Sequence, residues 1–328
     1  MISSITGNSM RVIIVGLGSI GKRHVRILKS IKNTSIFYFP SNKTKIDNEF
    51  IKKYNIELIY SLDECIAKNP DFVIISNPTP FHIDFAIFFA ENKIPIIIEK
   101  PLSYSLKNVN KLKKIVENNS LPFLVGFQFR HHPLYITANE IIKEGRLGEI
   151  LAFNGYVGQY LPDWRPNQEY SHTTSAIKEL GGGVVFDISH EIDIAVSIMG
   201  KVHEVVSVID KISSLKIDTE DIANIILMHE NGCQSNISLN YIDRNFKWIS
   251  KIIGSEGTLV WDYVNGTLEL QNGSGTIINW SNPEGFERDD LFRDQFHHWF
   301  AVLKGEQPPV VSIDEAIELT KVLIAIKN

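Results

Sequence analysis

The chain has 328 residues, 44% hydrophobic and 22% charged, which excludes a disordered chain, a fibrous repeat and a small disulfide-stapled domain and suits two folded domains. Its 33 Lys and Arg against 38 Asp and Glu give a net charge of -5, so neither nucleic acid nor a membrane surface is the expected partner. Cys65 and Cys233 lie far apart without CxxC spacing, no apolar run reaches the ~18 residues of a membrane span, and residues 1–9 lack the basic and apolar regions of a secretory signal; this argues against a disulfide framework or zinc knuckle and makes a reducing cytoplasm the expected compartment.

In chain order, residues 11–15 form an apolar run that ends in glycines, and 20–31 read as a helix. Apolar strands follow at 35–39, 72–76 and 94–99, with helical stretches between them, including 82–91. Continuous apolar strands alternating with helices indicate buried parallel β, hence βαβ units in a doubly wound sheet. Residues 124–129 read as the last strand of this part, 133–144 as a helix, and the pattern changes after about residue 122. The expected division is a doubly wound domain over 1–122 and a second domain over 123–328.

From residue 149 onward strands dominate: 149–157, 202–212, 221–229, 233–241, 247–253 and 258–261. The turns Glu230-Asn231-Gly232-Cys233 and Gly254-Ser255-Glu256-Gly257 suit antiparallel hairpins. The second domain therefore reads as α+β, one large open and mostly antiparallel sheet. Ile222, Asn224 and Ile226 alternate with Ala223, Ile225 and Leu227, so both sheet faces are partly apolar. One face is expected on helices and the other on a second subunit, in a homodimer or homotetramer. A final helix over 313–327 is expected to pack back on the first domain.

Gly16-Leu17-Gly18-Ser19-Ile20-Gly21 is a GxGxxG run placed directly between a strand and a helix. Its first glycine permits a tight turn, its second a close approach to a pyrophosphate, and its third close helix–strand packing. Free N–H groups at Ser19, Ile20 and Gly21 would then meet the anion. This is the Rossmann arrangement for NAD or NADP. A ribose-reading carboxylate is expected ~20 residues further on, yet the segment reads Phe39-Pro40-Ser41-Asn42-Lys43, with no acid before Asp47. Arg11, Lys22, Arg23, Arg26, Lys29, Lys32, Lys43 and Lys45 all precede Asp47. Ser41, Asn42 and Lys43 could bind a 2′-phosphate, so NADP is favoured over NAD; the competing reading makes the basic set a solvated helix face. Asn77, Thr79 and His82 belong to the third βα turn and are expected along the cofactor groove. The stripe Phe85, Phe88 and Phe89 is core.

Glu99-Lys100-Pro101 closes the fourth strand. Ligands of doubly wound sheets sit beyond the carboxyl ends of strands, so Lys100 is expected near the nicotinamide, where its ammonium could stabilise oxygen charge during hydride transfer. The alternative is a surface lysine. Gly181-Gly182-Gly183 leads into Val184-Val185-Phe186-Asp187-Ile188-Ser189-His190-Glu191-Ile192-Asp193. Asp187 and His190, three apart, would share one helix face. A His beside an acid is a general acid/base; the alternative is a capping Asp and a buried, hydrogen-bonded His.

The loop from Gly16, Asn77-Pro78-Thr79-Pro80-Phe81-His82, Glu99-Lys100-Pro101, Gly126-Phe127-Gln128-Phe129-Arg130, the triple glycine and His190 together resemble the Gfo/Idh/MocA oxidoreductases over nearly the whole chain. The resemblance implies an NAD(P)-dependent dehydrogenase or reductase of sugars, cyclitols or sugar derivatives. It implies that Lys100 is the family's lysine and His190 its acid/base histidine, that Glu99 belongs to the cofactor site, and that Arg130 reaches substrate or cofactor. Many relatives carry an acid four residues before the histidine; here that position is Phe186 and the acid is Asp187, which resembles a D-x-S-H-E subgroup and leaves open whether Asp187 orients His190 or caps the helix. Trp164, Arg165 and Tyr170, in the irregular stretch 159–174, are expected to read polar or planar substrate groups, or else to pack their own loop. Two other readings stand beside the dehydrogenase: a dinucleotide sensor without turnover, and redox-assisted elimination or glycoside cleavage with no net cofactor change.

Overall fold

In a computed structural model, which describes residues 9–41, 46–166, 168–275 and 277–328, the first apolar runs become the centre of a parallel sheet. The elements in order are β1 (Met10–Val15), α1 (Ser19–Ile31), β2 (Thr34–Phe39), α2 (Asn48–Lys53), β3 (Ile56–Leu58), α3 (Leu62–Ala67), β4 (Phe72–Ile75), α4 (His82–Glu91), β5 (Ile96–Glu99), α5 (Val109–Asn118) and β6 (Phe123–Gly126). Strand order among the described residues is β3-β2-β1-β4-β5-β6, parallel at every pairing. This is the doubly wound dinucleotide-binding order. Every residue of β4, β5 and β6 is buried, as expected of strands covered on both faces, and this is why their sequences are uninterrupted apolar runs.

The second set comprises α6 (Pro133–Lys143), β7 (Ile150–Gly158), α7 (Val184–Asp187), α8 (Ser189–Met199), β8 (Val202–Asp210), β9 (Ile222–His229), β10 (Gln234–Asn240), β11 (Lys247–Gly254), β12 (Gly257–Asp262), β13 (Thr267–Asn272), β14 (Ile277–Ser281), α9 (Arg288–Leu303) and α10 (Ile313–Lys327). Among the described residues β7 to β14 form an eight-stranded sheet in the order β14-β13-β12-β11-β7-β10-β9-β8. Both anticipated hairpins form, β9–β10 and β11–β12. One pairing departs from the antiparallel rule: β10 runs parallel to β7. Alternation sets the faces. Phe153, Ile225, Leu227, Ile237, Ile252 and Leu259 point inward and are fully or almost fully buried, and α8 packs against β7 and β10 on this side. Val206, Val208 and Ile226 are exposed on the opposite face.

The chain divides into two units whose boundaries differ from the expected 122/123 split. The first runs through Gly126 and includes Glu287–Ile317; the second is Phe127–Phe286 with Glu318–Asn328. The shift to Gly126 follows from β6, which pairs with β5 over Ile96–Phe123 to Glu99–Gly126 and so completes the parallel sheet. The returning element is α9, which the sequence reading did not anticipate. It packs on α1, and Trp299 meets Phe72 edge-on at 5.6 Å. The terminal helix α10 follows the first unit only at its start, where Asp314 pairs with Lys113. Its end belongs to the second unit: Lys327 Nζ donates to both carboxylate oxygens of Glu220, at 2.8 and 2.7 Å.

Candidate active-site residues in each unit

In the first unit the glycine loop follows β1. Gly16 has φ +89°, and a Cβ there would lie 2.7 Å from the Asn77 main chain. At Gly21 a Cβ would lie 2.3 Å from Gly16 O. The Ser76 hydroxyl donates to Gly16 O (2.8 Å) and fixes the turn. Gly18 is the N-cap of α1, with no side-chain cap and no acid in the first turn, so the first amides of a 13-residue helix carry their positive end without an anionic neighbour. Beside the loop, Asn77 is only 6% exposed, and neither its amide nitrogen nor its amide oxygen has a hydrogen-bond partner. An uncapped helix start, a backbone turn with no room for side chains and an orphaned amide fit a dinucleotide pyrophosphate and its neighbouring groups. Ser19 is exposed, Ile20 and Thr79 half-buried.

Four of the eight basic residues that favoured NADP are engaged elsewhere. Lys22 Nζ bonds Asp47 Oδ2 (2.5 Å), and Arg23 pairs with Asp289 (3.0 Å). Lys29 donates to Thr34 O, and Arg11 lies over Phe37. Ser41 Oγ is buried without a hydrogen-bond partner; Asn42 and Lys43 lie outside the described residues. His82, expected along the cofactor groove, is tied to main-chain carbonyls. It is 1% exposed, with Nε2 2.8 Å from Asn77 O and Nδ1 3.0 Å from Pro101 O, and burial lowers its pKa. Glu99 is also buried, with His24 Nε2 donating to its Oε1 (2.6 Å). Lys100, the next residue, is half-buried at the end of β5.

In the second unit the glycines lead into two helices rather than one. Ile188, at φ -99° and ψ 25°, breaks the run between α7 and α8, so Asp187 and His190 do not share a helix face as their spacing suggested. The N-cap position of α8 is Ile188, and Asp187 is the last residue of α7. Its Oδ2 accepts from the Tyr241 hydroxyl at 2.6 Å. Burial and then the Asp187 charge hold the Tyr241 pKa well above its ordinary value, so Tyr241 remains a proton donor. The Arg165 charge acts on Tyr241 in the opposite sense, and Trp164 meets the Tyr241 ring edge-on at 5.2 Å. Trp164 and Arg165 are thus gathered with Asp187. Tyr170 is used otherwise, its hydroxyl accepting from the Lys216 amide at 3.0 Å.

His190 is 6% exposed and lies among Phe129, Phe127 and Trp248, at ring separations of 4.7, 6.0 and 6.4 Å. The Gln128 amide donates to His190 Nε2 at 3.2 Å, while Gln128 Oε1 is buried without a partner. A half-turn of that amide would present Oε1 to a protonated ring, so Gln128 can serve both charge states of an acid/base histidine. Arg130 has a structural duty that the sequence reading missed: Nε and Nη2 grip both oxygens of Asp193 at 2.7 and 2.8 Å, and Nη1 donates to Tyr135. His132 is a buried cap. Its Nδ1 accepts from the Leu134 amide at the start of α6, and burial lowers its pKa to about 4.

Glu191 lies beneath this cluster and is fully buried. Trp248 Nε1 donates to its Oε2 (2.5 Å) and Ser250 Oγ to its Oε1 (2.8 Å); a Cβ at Gly155 would lie 2.3 Å from Oε1, so a side chain there would displace the carboxylate from these two donors. Burial pushes the carboxyl up to about 7 against the pull of these two donors. A folded-state pKa above the unfolded one means the folded chain keeps a proton that the unfolded chain releases. Glu191 therefore lowers stability as pH rises from about 4.5 to about 7, by a total of about 3 kcal/mol. Glu191→Gln should lose that component: its thermal midpoint should fall less than that of the native chain between pH ~5 and ~8. Identical pH responses would refute the assignment.

Residues 10–127 match the model of the oxidoreductase family with an NAD-binding Rossmann fold, and residues 135–260 match the GFO/IDH/MocA C-terminal domain. The chain belongs to the Gfo/Idh/MocA oxidoreductases. Among its curated relatives is levoglucosan dehydrogenase of Pseudarthrobacter phenanthrenivorans, 24% identical over 294 residues, covering 78% of this chain and 74% of the relative. Myo-inositol 2-dehydrogenase of Thermotoga maritima is 23% identical over 323 residues, covering 92% and 91%. The fold of this Gfo/Idh/MocA protein superposes on a solved levoglucosan dehydrogenase in complex with NADH with a TM-score of 0.84, at 20% identity and over 98% of this chain and 96% of the other.

Proposed function

We propose that this Gfo/Idh/MocA protein is an NAD(P)-dependent oxidoreductase that moves a hydride between nicotinamide and a hydroxyl or keto carbon of a sugar, cyclitol or sugar derivative. The observation that carries this reading is the uncapped start of α1 above Gly16 and Gly21, beside the unpartnered Asn77 amide, in a unit whose β5 ends at Lys100. Gly16, Gly18, Ser19, Ile20 and Gly21 would hold the pyrophosphate, with Asn77 and Thr79 beside it. When bound, the nicotinamide supplies the hydride acceptor or donor. The chain's own residues do the rest. His190 takes the hydroxyl proton during oxidation and returns it during reduction, with Gln128 accommodating the change of ring charge. The Lys100 ammonium stabilises negative charge on the reacting oxygen. Asp187, protonically tied to Tyr241, together with Trp164 and Arg165, supplies polar and planar groups suited to a polyhydroxylated substrate.

Lys22 and Arg23 are ion-paired, so a preference for NADP rests on Ser41 with Asn42 and Lys43 rather than on the wider basic set. The substrates named in the relatives, levoglucosan and myo-inositol, support the sugar and cyclitol class. The test is oxidation of a panel of sugars and cyclitols with NAD and with NADP, following appearance of reduced nicotinamide. Turnover with at least one member is expected, whereas cofactor binding without turnover on any member would favour the sensor reading. The exposed sheet face bearing Val206, Val208 and Ile226 is proposed as the contact with a second copy; a monomer by light scattering at micromolar concentration would remove that. Two buried free thiols, Cys65 and Cys233, suit the reducing compartment proposed for it.

A further inference from the structure

The two residues that flank Lys100 are each held by a buried histidine of the first unit. On one side, His24 on α1 is fully buried and its Nε2 donates to Glu99 Oε1 at 2.6 Å. Its Nδ1 has no hydrogen-bond partner, so Glu99 is where its polar function goes. The His24 ring is fixed by edge contacts to Phe292 and Phe296 of α9, at 5.6 and 5.5 Å. Glu99 is confined in turn: a Cβ at Gly126 would lie 3.1 Å from its Oε1. On the other side, His82 stands between Pro101 O at 3.0 Å and Asn77 O at 2.8 Å. A histidine that merely filled the core could turn its nitrogens to any nearby carbonyl; these two converge on residues 99 and 101.

We propose that His24 and His82 are positioning residues for Lys100, His24 acting through the Glu99 carboxylate and His82 through the Pro101 carbonyl, and that they fix the lysine's main chain relative to the glycine loop and to Asn77. The proposal rests on the role given to Lys100 above. Burying two polar rings is costly unless their hydrogen bonds are made, and the position of a charge-stabilising group matters at the sub-ångström scale.

The test uses the full chain without cofactor. Lysines are methylated reductively with isotope-labelled formaldehyde, and the Lys100 resonance is identified by its absence from Lys100→Arg. In His24→Ala and in His82→Ala that resonance is expected to shift and to change its titration midpoint while the other lysine signals stay in place. In His24→Gln, whose amide can still donate to Glu99, it is expected to return toward its native position. Where His24→Ala does not fold, His24→Gln against the shorter His24→Asn supplies the same contrast. In turnover, His24→Ala should lower kcat on the order of 10-fold or more with little change in cofactor KM, and should lower it no further in a Lys100→Ala background. An unmoved Lys100 resonance in both alanine variants overturns the proposal, as does a kcat loss that adds to that of Lys100→Ala. Normal turnover of Lys100→Ala would instead remove the functional reading, and the resonance would still decide whether the histidines position the lysine.

Discussion

His190→Ala is expected to lower kcat by about 10²–10⁴-fold on the true substrate while leaving dinucleotide affinity unchanged. The imidazole is seated among Phe129, Phe127 and Trp248 and accepts from Gln128, so its removal takes away a proton carrier and leaves every residue of the glycine loop unchanged. Because proton transfer occurs in the transition state, kcat and kcat/KM should fall together. A second measurement separates chemistry from folding: cofactor fluorescence quenching should give an unchanged Kd at a temperature below the variant's thermal midpoint, which should itself fall because a buried ring is removed. A rate within about threefold of native would end the acid/base assignment, since a positioned general base contributes far more than that.

Lys100→Ala is expected to cost about 10²–10³-fold in kcat, the range for removing one preorganised donor to a developing oxygen charge. Lys100→Arg should recover only part of it, because a planar guanidinium cannot place a single compact charge where an ammonium stood. The two losses should not add in Lys100→Ala/His190→Ala, since both groups serve one oxygen in the proposed reaction. If the double variant lost the full product of the single effects, the two residues would be acting in separate steps.

Parallel strands buried on both faces must be apolar throughout, so β1, β4 and β5 could be read as strands from composition alone. GxGxxG was legible because its chemistry is local: each glycine answers a backbone requirement within six residues. The second unit's site was legible only in part. His190 and Asp187 could be named, but their partners lie far along the chain. Gln128 is 62 residues from His190, and Tyr241 is 54 from Asp187. Arg130 finds Asp193 at a separation of 63, an ion pair that no local pattern announces. The break at Ile188 carries neither glycine nor proline and leaves no local signal. The helix α9 did leave one, a capping box between Glu287 and Asp290 followed by the buried Leu291, Phe292, Phe296 and Trp299. This helix supplies the cover over His24.

The discontinuity of the first unit bears on how the polypeptide matures. A ribosome releases all six strands of the parallel sheet long before Glu287–Ile317 exists, so His24 and Phe72 wait for Phe292, Phe296 and Trp299 while the whole eight-stranded sheet is translated. During that interval the nascent sheet lacks one of its aromatic covers, and sticky surface of this kind invites chaperone capture or aggregation. Cutting the gene after Gly126 would perpetuate that immature state, so an excised nucleotide module needs the 287–317 segment grafted back before it can be expected to behave as a stable piece.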